Sequence, residues 1–166
     1  MLKLPRKVEE DSRFPAITDL LAQTRKPLWE KSAIPVSELP WTPAVERVLS
    51  IAVRARKVEI GLETVERVLG IQKRGLDAVH AKQASVPANR VSRVLLVSND
   101  GSERFYRACE SLLGKHGERL LLLRFGIPAG RMGEKIIGPG KEIKVVLLAD
   151  REHVENLLFS LVDPGR

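Results

Sequence analysis

The fold is decided by the stretch Val94-Leu95-Leu96-Val97-Ser98-Asn99-Asp100-Gly101-Ser102. Four consecutive apolar residues are typical of a strand that helices cover on both faces. Polar residues and a glycine then turn the chain, and either Asp100 or Ser102 can cap the helix predicted for residues 103–115. A buried strand that passes directly into a helix indicates an α/β protein.

Towards the C-terminus the alternation of strand and helix continues. Residues 120–123 and 143–149 read as two more buried strands, and Met132 and Ile136 lie at helical spacing between them. Asp150 is the expected cap of a last helix.

Towards the N-terminus, Pro43 suits the first turn of a helix, and residues 58–60 alternate as a short strand. The next helix, from Leu62, is expected to end at Gly70 or Gly75. The whole order predicts an α/β protein with a three-layer α/β/α sandwich around a central mixed sheet, a wholly parallel sheet being the alternative.

Residues 1–42 have a different character, with prolines at positions 5, 15, 27, 35 and 40 that oppose a long helix or a central strand. We expect an extended N-terminal arm over 1–42 and a separate folded domain over 43–166. Trp29 and Trp41 are expected to dock the arm on the domain, or else to contact a partner.

Residues 72–93 predict a basic insertion or long loop, interrupted by Pro87 and Asn89. Such a loop serves either as a solvated spacer or as an RNA contact. Its cations are Lys73, Arg74, Lys82, Arg90 and Arg93.

The balance of charge favours a polyphosphate partner. In 166 residues, 28 lysines and arginines face 21 acidic residues, which gives a net charge of +7 and an isoelectric point near 9.9. The 43% of apolar residues is typical of a folded chain. Cys109 is the single cysteine, so no disulfide framework is possible, and we expect a buried, inert thiol.

Catalytic patterns are missing from the sequence, and we expect no enzyme, no metal and no cofactor. The three histidines are scattered, and Ser98 lacks the frame of a nucleophile elbow. Residues 126–130 lack the lysine and serine or threonine of a nucleotide-binding loop. A methyltransferase or nucleotide enzyme stays open only by analogy of fold. No stretch resembles a secretory signal or a membrane span, so we expect no membrane partner.

Residues 54–67 carry the functional argument. Arg54, Arg56 and Lys57 follow a helix, and Gly61 precedes the start of another. Free backbone N–H groups and the positive end of a helix dipole attract anions, so the stretch predicts a phosphate-binding corner. A solvated turn is the alternative.

This pattern resembles the first RNA-contacting segment of the kink-turn-binding superfamily of ribosomal proteins (L-seven-Ae type). The buried strand with its aspartate turn, the pair Met132-Gly133 and the loop 138–144 continue the likeness. The resemblance implies RNA contacts at Arg54, Arg56, Lys57, Gly61, Glu63, Thr64, Arg67, Lys141, Ile143 and Lys144.

One position departs from the family pattern. Glu63-Thr64 stands where members that clamp the sheared purine pairs of a kink-turn have Asn-Glu. A carboxylate accepts hydrogen bonds but cannot donate them, and it repels phosphate. The departure argues against the standard kink-turn clamp, whereas RNA contact through the basic corner is unaffected.

Within the superfamily, the arm, the basic middle and residues 123–128 are most similar to the small protein subunit of nuclear RNase P and RNase MRP. The resemblance implies a non-catalytic subunit of a ribonucleoprotein for tRNA and rRNA processing, in the nucleus or nucleolus. Its partners would be structured RNA and, through the arm, other protein subunits. A ribosomal or ribosome-assembly protein, or a protein scaffold, is the alternative, with the cytoplasm as the alternative location.

Overall fold

The fold is an α/β sandwich. The computed structural model describes residues 3–82 and 90–163. Its helices are α1 (Arg6–Glu9), α2 (Phe14–Gln23), α3 (Pro43–Arg54), α4 (Leu62–Lys82), α5 (Glu103–His116), α6 (Ala129–Ile136) and α7 (Arg151–Ser160). Its strands are β1 (Arg25–Pro27), β2 (Pro35–Leu39), β3 (Val58–Ile60), β4 (Arg93–Val97), β5 (Leu120–Phe125) and β6 (Val145–Leu148).

The strands form one mixed sheet in the order β1-β2-β5-β4-β6-β3. The central strands β2, β5 and β4 run parallel. The outer strands β1, β6 and β3 each join their neighbour in antiparallel fashion. The prediction of an α/β fold with a central mixed sheet is therefore confirmed.

Helices cover both faces of this sheet because its central strands are apolar on both sides. In β4, Leu95 and Leu96 are both fully buried, and they belong to two different hydrophobic clusters. One cluster packs α4 and α5 on the first face. The other packs α1, α2, α3, α6 and α7 on the second face. This is the three-layer arrangement expected from the alternation of helix and strand.

The N-terminal segment is not the extended arm that the prolines predicted. Residues 6–39 form α1, α2, β1 and β2, and β2 lies inside the sheet between β1 and β5. The prolines occupy positions where a missing N–H costs little: Pro15 is in the first turn of α2, Pro35 begins β2, and Pro27 ends the edge strand β1. The expectation failed because these positions tolerate proline.

Both tryptophans dock on the chain's own domain, which confirms that prediction. Trp29 donates from Nε1 to a carboxylate oxygen of Glu110 on α5, at 2.7 Å. Trp41 packs edge-on against Phe125, with 5.9 Å between ring centroids. These contacts attach the N-terminal segment to both faces of the sheet.

The basic insertion predicted for 72–93 is wrong over its first half, because α4 continues through Gly70 and Gly75 to Lys82. A glycine inside a helix costs about 1 kcal/mol, a cost that the packing of the rest of the helix can offset. Residues 83–89 lie outside the described part of the chain, and Arg93 begins β4.

The helix caps follow the sequence. Ser102, not Asp100, caps α5 by accepting from the Phe105 amide, and Asp150 caps α7 as predicted. Among the described helices, none combines the length and apolar character needed to cross a membrane.

Candidate nucleic-acid interface

The carboxyl ends of β2, β3, β4 and β5 lie at one edge of the sheet, which we call the upper edge. The antiparallel strand β6 begins at this edge. Helices α3, α4, α5 and α6 start just beyond the four strand ends, so their N-termini share the upper edge. In open α/β sheets, ligands bind outside the carboxyl ends of the strands. The opposite edge is the lower edge.

At the upper edge, Gly61 lies next to the end of the loop 138–144. The Gly61 amide donates to the carbonyl oxygen of Val145 at 3.2 Å, and the Ser98 amide donates to that of Lys144 at 3.0 Å. Gly61 has a φ of 94°, a conformation that glycine adopts without strain, and its carbonyl accepts the amide of Val65 in α4. Two segments that the resemblance assigned to RNA contact are thus adjacent.

Helix α6 holds the loop 138–144 in place. The Ile143 amide donates to the carbonyl of Ala129 at 3.0 Å, and the Gly138 amide donates to that of Gly133 at 3.1 Å. The loop backbone lies so close to the helix that a Cβ on Gly133 would be 2.2 Å from the carbonyl oxygen of Lys141. Gly133 therefore permits the position of the loop.

The aspartate turn after β4 supports the same edge. A carboxylate oxygen of Asp100 accepts the amide of Ala129 at the start of α6, at 3.1 Å. The Tyr106 hydroxyl donates to the Ser98 carbonyl at 2.8 Å and accepts the Gly101 amide at 3.0 Å. The side chains of Tyr106 and Asp100 therefore hold the turn between β4 and α5 in place and link it to the start of α6.

Most of the predicted upper-edge residues are accessible. Glu63, Arg67, Lys141 and Lys144 are exposed, and Thr64 is half-buried. Neither the Lys141 nor the Lys144 ammonium has an ion pair within the described residues. Both ammonium groups are therefore available to bind phosphate.

Ile143 does not belong to this accessible surface. Its side chain is 3% exposed and packs in the core with α3 and α6, because the loop turns it inward as it enters β6. Ile137 at the end of α6 and Ile60 at the end of β3 are instead exposed, by 43% and 38%. The sequence analysis did not identify either residue, because an apolar residue at the end of a helix or strand cannot be distinguished from a buried one by sequence pattern alone.

The predicted single corner is divided by the structure. Arg54, Arg56 and Lys57 are exposed but precede β3, so they lie at the lower edge. The length of β3 separates them from Gly61 by roughly 10 Å. Proximity in sequence suggested one site because the direction of an intervening strand was not taken into account.

Arg56 lies two residues beyond the end of α3 and has a left-handed conformation, with a φ of 57°. The Arg56 amide donates to Val53 and the Lys57 amide to Ala52, which is the hydrogen-bond pattern of a helix end that normally requires glycine. A side chain in this conformation costs about 1 kcal/mol or more.

We expect Arg56→Gly to raise the free energy of unfolding by about 1 kcal/mol, because it relieves this strain. Arg54→Gly, two residues earlier and inside α3, is the matched control and is expected to lower it by about 1 kcal/mol. Urea denaturation followed by circular dichroism measures both. A loss of stability in Arg56→Gly would contradict the expectation.

Several titratable side chains of the described residues have a local partner or a shifted pKa. Burial raises the pKa of the Cys109 thiol to about 12, and His153 Nδ1 is bonded to Asp150 at 2.7 Å. Burial, together with Lys73 and Lys115, lowers the pKa of His116. Within the described ranges, no group of three histidine, cysteine, aspartate or glutamate side chains is placed to hold a metal ion.

Comparison with known proteins adds no function. Neither a protein-family model nor a curated protein matches the sequence. Among solved structures, the chain is similar to a protein with unknown function from Bacillus halodurans C. The two share 20% identity with a TM-score of 0.44, over 74% of this chain and 99% of the other.

Proposed function

We propose that this protein binds structured RNA through the upper edge, at Gly61, the first turn of α4 and the loop 138–144, without catalysing a reaction. The observation that carries the proposal is the hydrogen bond from the Gly61 amide to Val145. It joins Gly61, directly before α4, to the first residue of β6, directly after a loop with two lysines that have no ion pair within the described residues. The helix N-terminus and the lysines together offer backbone donors and cations to phosphate.

The same surface also has groups suited to bases. Ile60 is an exposed apolar side chain at the end of β3, and an unstacked base can cover such a side chain. The Glu63 carboxylate accepts from an exocyclic amine but offers no donor. This chemistry favours a bent or bulged RNA over a uniform duplex, whose bases are not accessible.

Lys144→Ala tests the proposal. We expect it to weaken binding of a structured RNA severalfold and to reduce the slope of log affinity against log salt by about one, because one phosphate contact is lost. Fluorescence anisotropy with a labelled RNA hairpin containing an internal bulge, at several salt concentrations, measures both quantities.

The matched control is Lys31→Ala, an exposed lysine in the connection between β1 and β2. It should leave both the affinity and the salt slope unchanged. Equal behaviour of the two variants, or affinity in the wild type that ignores salt, would reject RNA binding at the upper edge.

The particular assembly we propose is an RNase P/MRP-type ribonucleoprotein, with residues 123–128 as its support in the sequence. The extended arm no longer supports it, because residues 6–39 form two helices that pack on the sheet and two strands that belong to it. The docking of Trp29 and Trp41 on the chain's own domain also removes the main argument for a protein scaffold. Crosslinking in cells, followed by sequencing of the bound RNA, tests the assembly: RNase P or MRP RNA supports it, and ribosomal RNA alone favours the ribosomal alternative.

A further inference from the structure

A cavity of about 460 Å³ opens at the lower edge, on the face of the sheet covered by α4 and α5. Its walls come from α4, from the end of α5 and from the first residues of β4 and β5. The volume lies within the range of small-molecule sites, roughly 300–1,000 Å³. The cavity is at the opposite end of the strands from the proposed RNA surface.

Two arginines at the start of neighbouring strands dominate this cavity. The Arg93 amide donates to the Arg119 carbonyl at 3.0 Å, so the two residues are in direct contact. Arg93 is also oriented by neutral acceptors: Nε donates to Gln72 at 2.9 Å, and an Nη donates to the Ser92 carbonyl at 2.8 Å. A second Nη is left for another acceptor, and the Arg119 side chain has no hydrogen bond or ion pair within the described residues.

The charges around the two arginines are not balanced. Four cationic residues line the cavity, Lys73, Arg93, Lys115 and Arg119, against the acidic residues Asp77 and Glu118. Burial lowers the pKa of Arg93, the carboxylate of Asp150 opposes this shift, and the charge of Arg119 adds to it. Four cations against the carboxylates of Asp77, Glu118 and the nearby Asp150 leave a small excess of positive charge, and a concave site with such an excess favours an anion.

Part of the positive charge has a structural explanation. Lys73 donates to the Lys115 carbonyl at 3.4 Å, and Lys115 lies in the last turn of α5, where cations complement the helix dipole. Arg93 begins β4, and Arg119 lies in the turn directly before β5. Neither belongs to a helix, so this explanation does not extend to them.

The remaining wall is apolar. Leu69 and Leu120 are nearly fully buried beside the cavity, and Leu113 is half-buried. Inorganic phosphate would leave this wall empty, whereas an anion with an attached ring would cover it.

We propose that the lower-edge cavity binds a small organic phosphate of nucleotide size, with its phosphate on Arg93 and Arg119 and its apolar part against Leu69 and Leu113. Guanidinium groups bind phosphate oxygens through paired hydrogen bonds, which explains why arginines occupy these positions. The site is independent of the RNA surface proposed above.

Calorimetric titration of the full chain with ADP tests the site, with adenosine and inorganic phosphate as partial ligands. We expect ADP to saturate below about 1 mM and each partial ligand to bind at least about tenfold more weakly. Arg119→Gln should weaken ADP binding about tenfold or more. Arg104→Gln, in the first turn of α5 and about 16 Å along the helix from Lys115, is the matched control.

His116 supplies a second measurement, in the wild-type protein, which does not depend on how a variant folds. An anion in the cavity is expected to raise the pKa of His116, since it offsets Lys73 and Lys115, and nuclear magnetic resonance titration follows the imidazole. The proposal is overturned if ADP does not saturate, if Arg119→Gln binds like Arg104→Gln, or if saturation leaves His116 unchanged. If ADP and inorganic phosphate bind with equal affinity, the proposal that the apolar wall binds the organic part of the ligand is wrong.

The two proposals fail separately. Lys144→Ala should leave ADP binding unchanged, and Arg119→Gln should leave binding of the RNA hairpin at the upper edge unchanged. Loss of both activities in either variant would contradict two independent sites.

Discussion

Replacement of Gly133 by alanine is expected to lower the free energy of unfolding by about 2 kcal/mol and to weaken RNA binding about tenfold or more. The added Cβ would be 2.2 Å from the carbonyl oxygen of Lys141, 2.5 Å from its carbonyl carbon and 2.8 Å from the Glu142 nitrogen. These atoms are backbone, so no side-chain rotation relieves the overlap. The loop 138–144 must move away from α6, and Lys141 and Lys144 move with it.

The control for this change is Gly130→Ala in the same helix. A Cβ on Gly130 meets nothing within 4 Å, so alanine should keep or slightly raise stability and leave RNA affinity unchanged. Urea denaturation and anisotropy with the bulged hairpin compare the two variants. If Gly133→Ala resembles Gly130→Ala in both measurements, the proposed role of Gly133 in placing the loop is wrong.

The second large effect is expected at Arg124, a residue on β5 that is 9% exposed. Its Nη1 donates to the Leu28 carbonyl at 2.7 Å, its Nη2 donates to the Pro27 carbonyl at 3.2 Å, and its Nε lies 3.3 Å from a carboxylate oxygen of Glu38. The Nε has no hydrogen bond in the described structure, so the contact with Glu38 is an ion pair only. Arg124 therefore attaches the connection between β1 and β2 to the sheet.

Arg124→Met is expected to lower the free energy of unfolding by about 3 kcal/mol, because two carbonyl groups and the Glu38 carboxylate lose a buried partner. Arg104→Met is the matched control, since Arg104 is exposed on α5 and has no hydrogen bond or ion pair within the described residues. It should cost below about 1 kcal/mol. Urea denaturation measures both, and limited proteolysis between β1 and β2 should be faster in Arg124→Met alone. Similar losses in the two variants would contradict this role.

The sequence alone determined the order of the elements from Pro43 onwards. Apolar runs such as 94–97 and 120–123 can bury both faces only as central strands, and the caps at Ser102 and Asp150 are local interactions between residues three apart. The mixed sheet and the helices on both faces follow from that order. These features depend on short-range pattern, which the sequence displays directly.

The tertiary structure decided the path of residues 6–39. The β2 strand pairs with β5, more than eighty residues away, and Arg124 on β5 holds the connection before it. A proline indicates which local conformations its position excludes. It does not indicate which strand will pair with the segment that contains it. Helix α4 likewise continues past Gly70 and Gly75, against the local preference of glycine.

In the candidate site, too, some features were predictable from the sequence and others were decided by the tertiary structure. Glycine at 61 and 133 and lysine at 141 and 144 were singled out from the sequence, and the structure places them together at the upper edge. Because β3 runs towards the upper edge, the residues before it, Arg54, Arg56 and Lys57, lie at the lower edge. The cavity beside Arg93 and Arg119 lies at the same edge. Burial of Ile143 and exposure of Ile137 were decided by how the loop packs on α6, since a pattern of residue types does not record which way a loop turns.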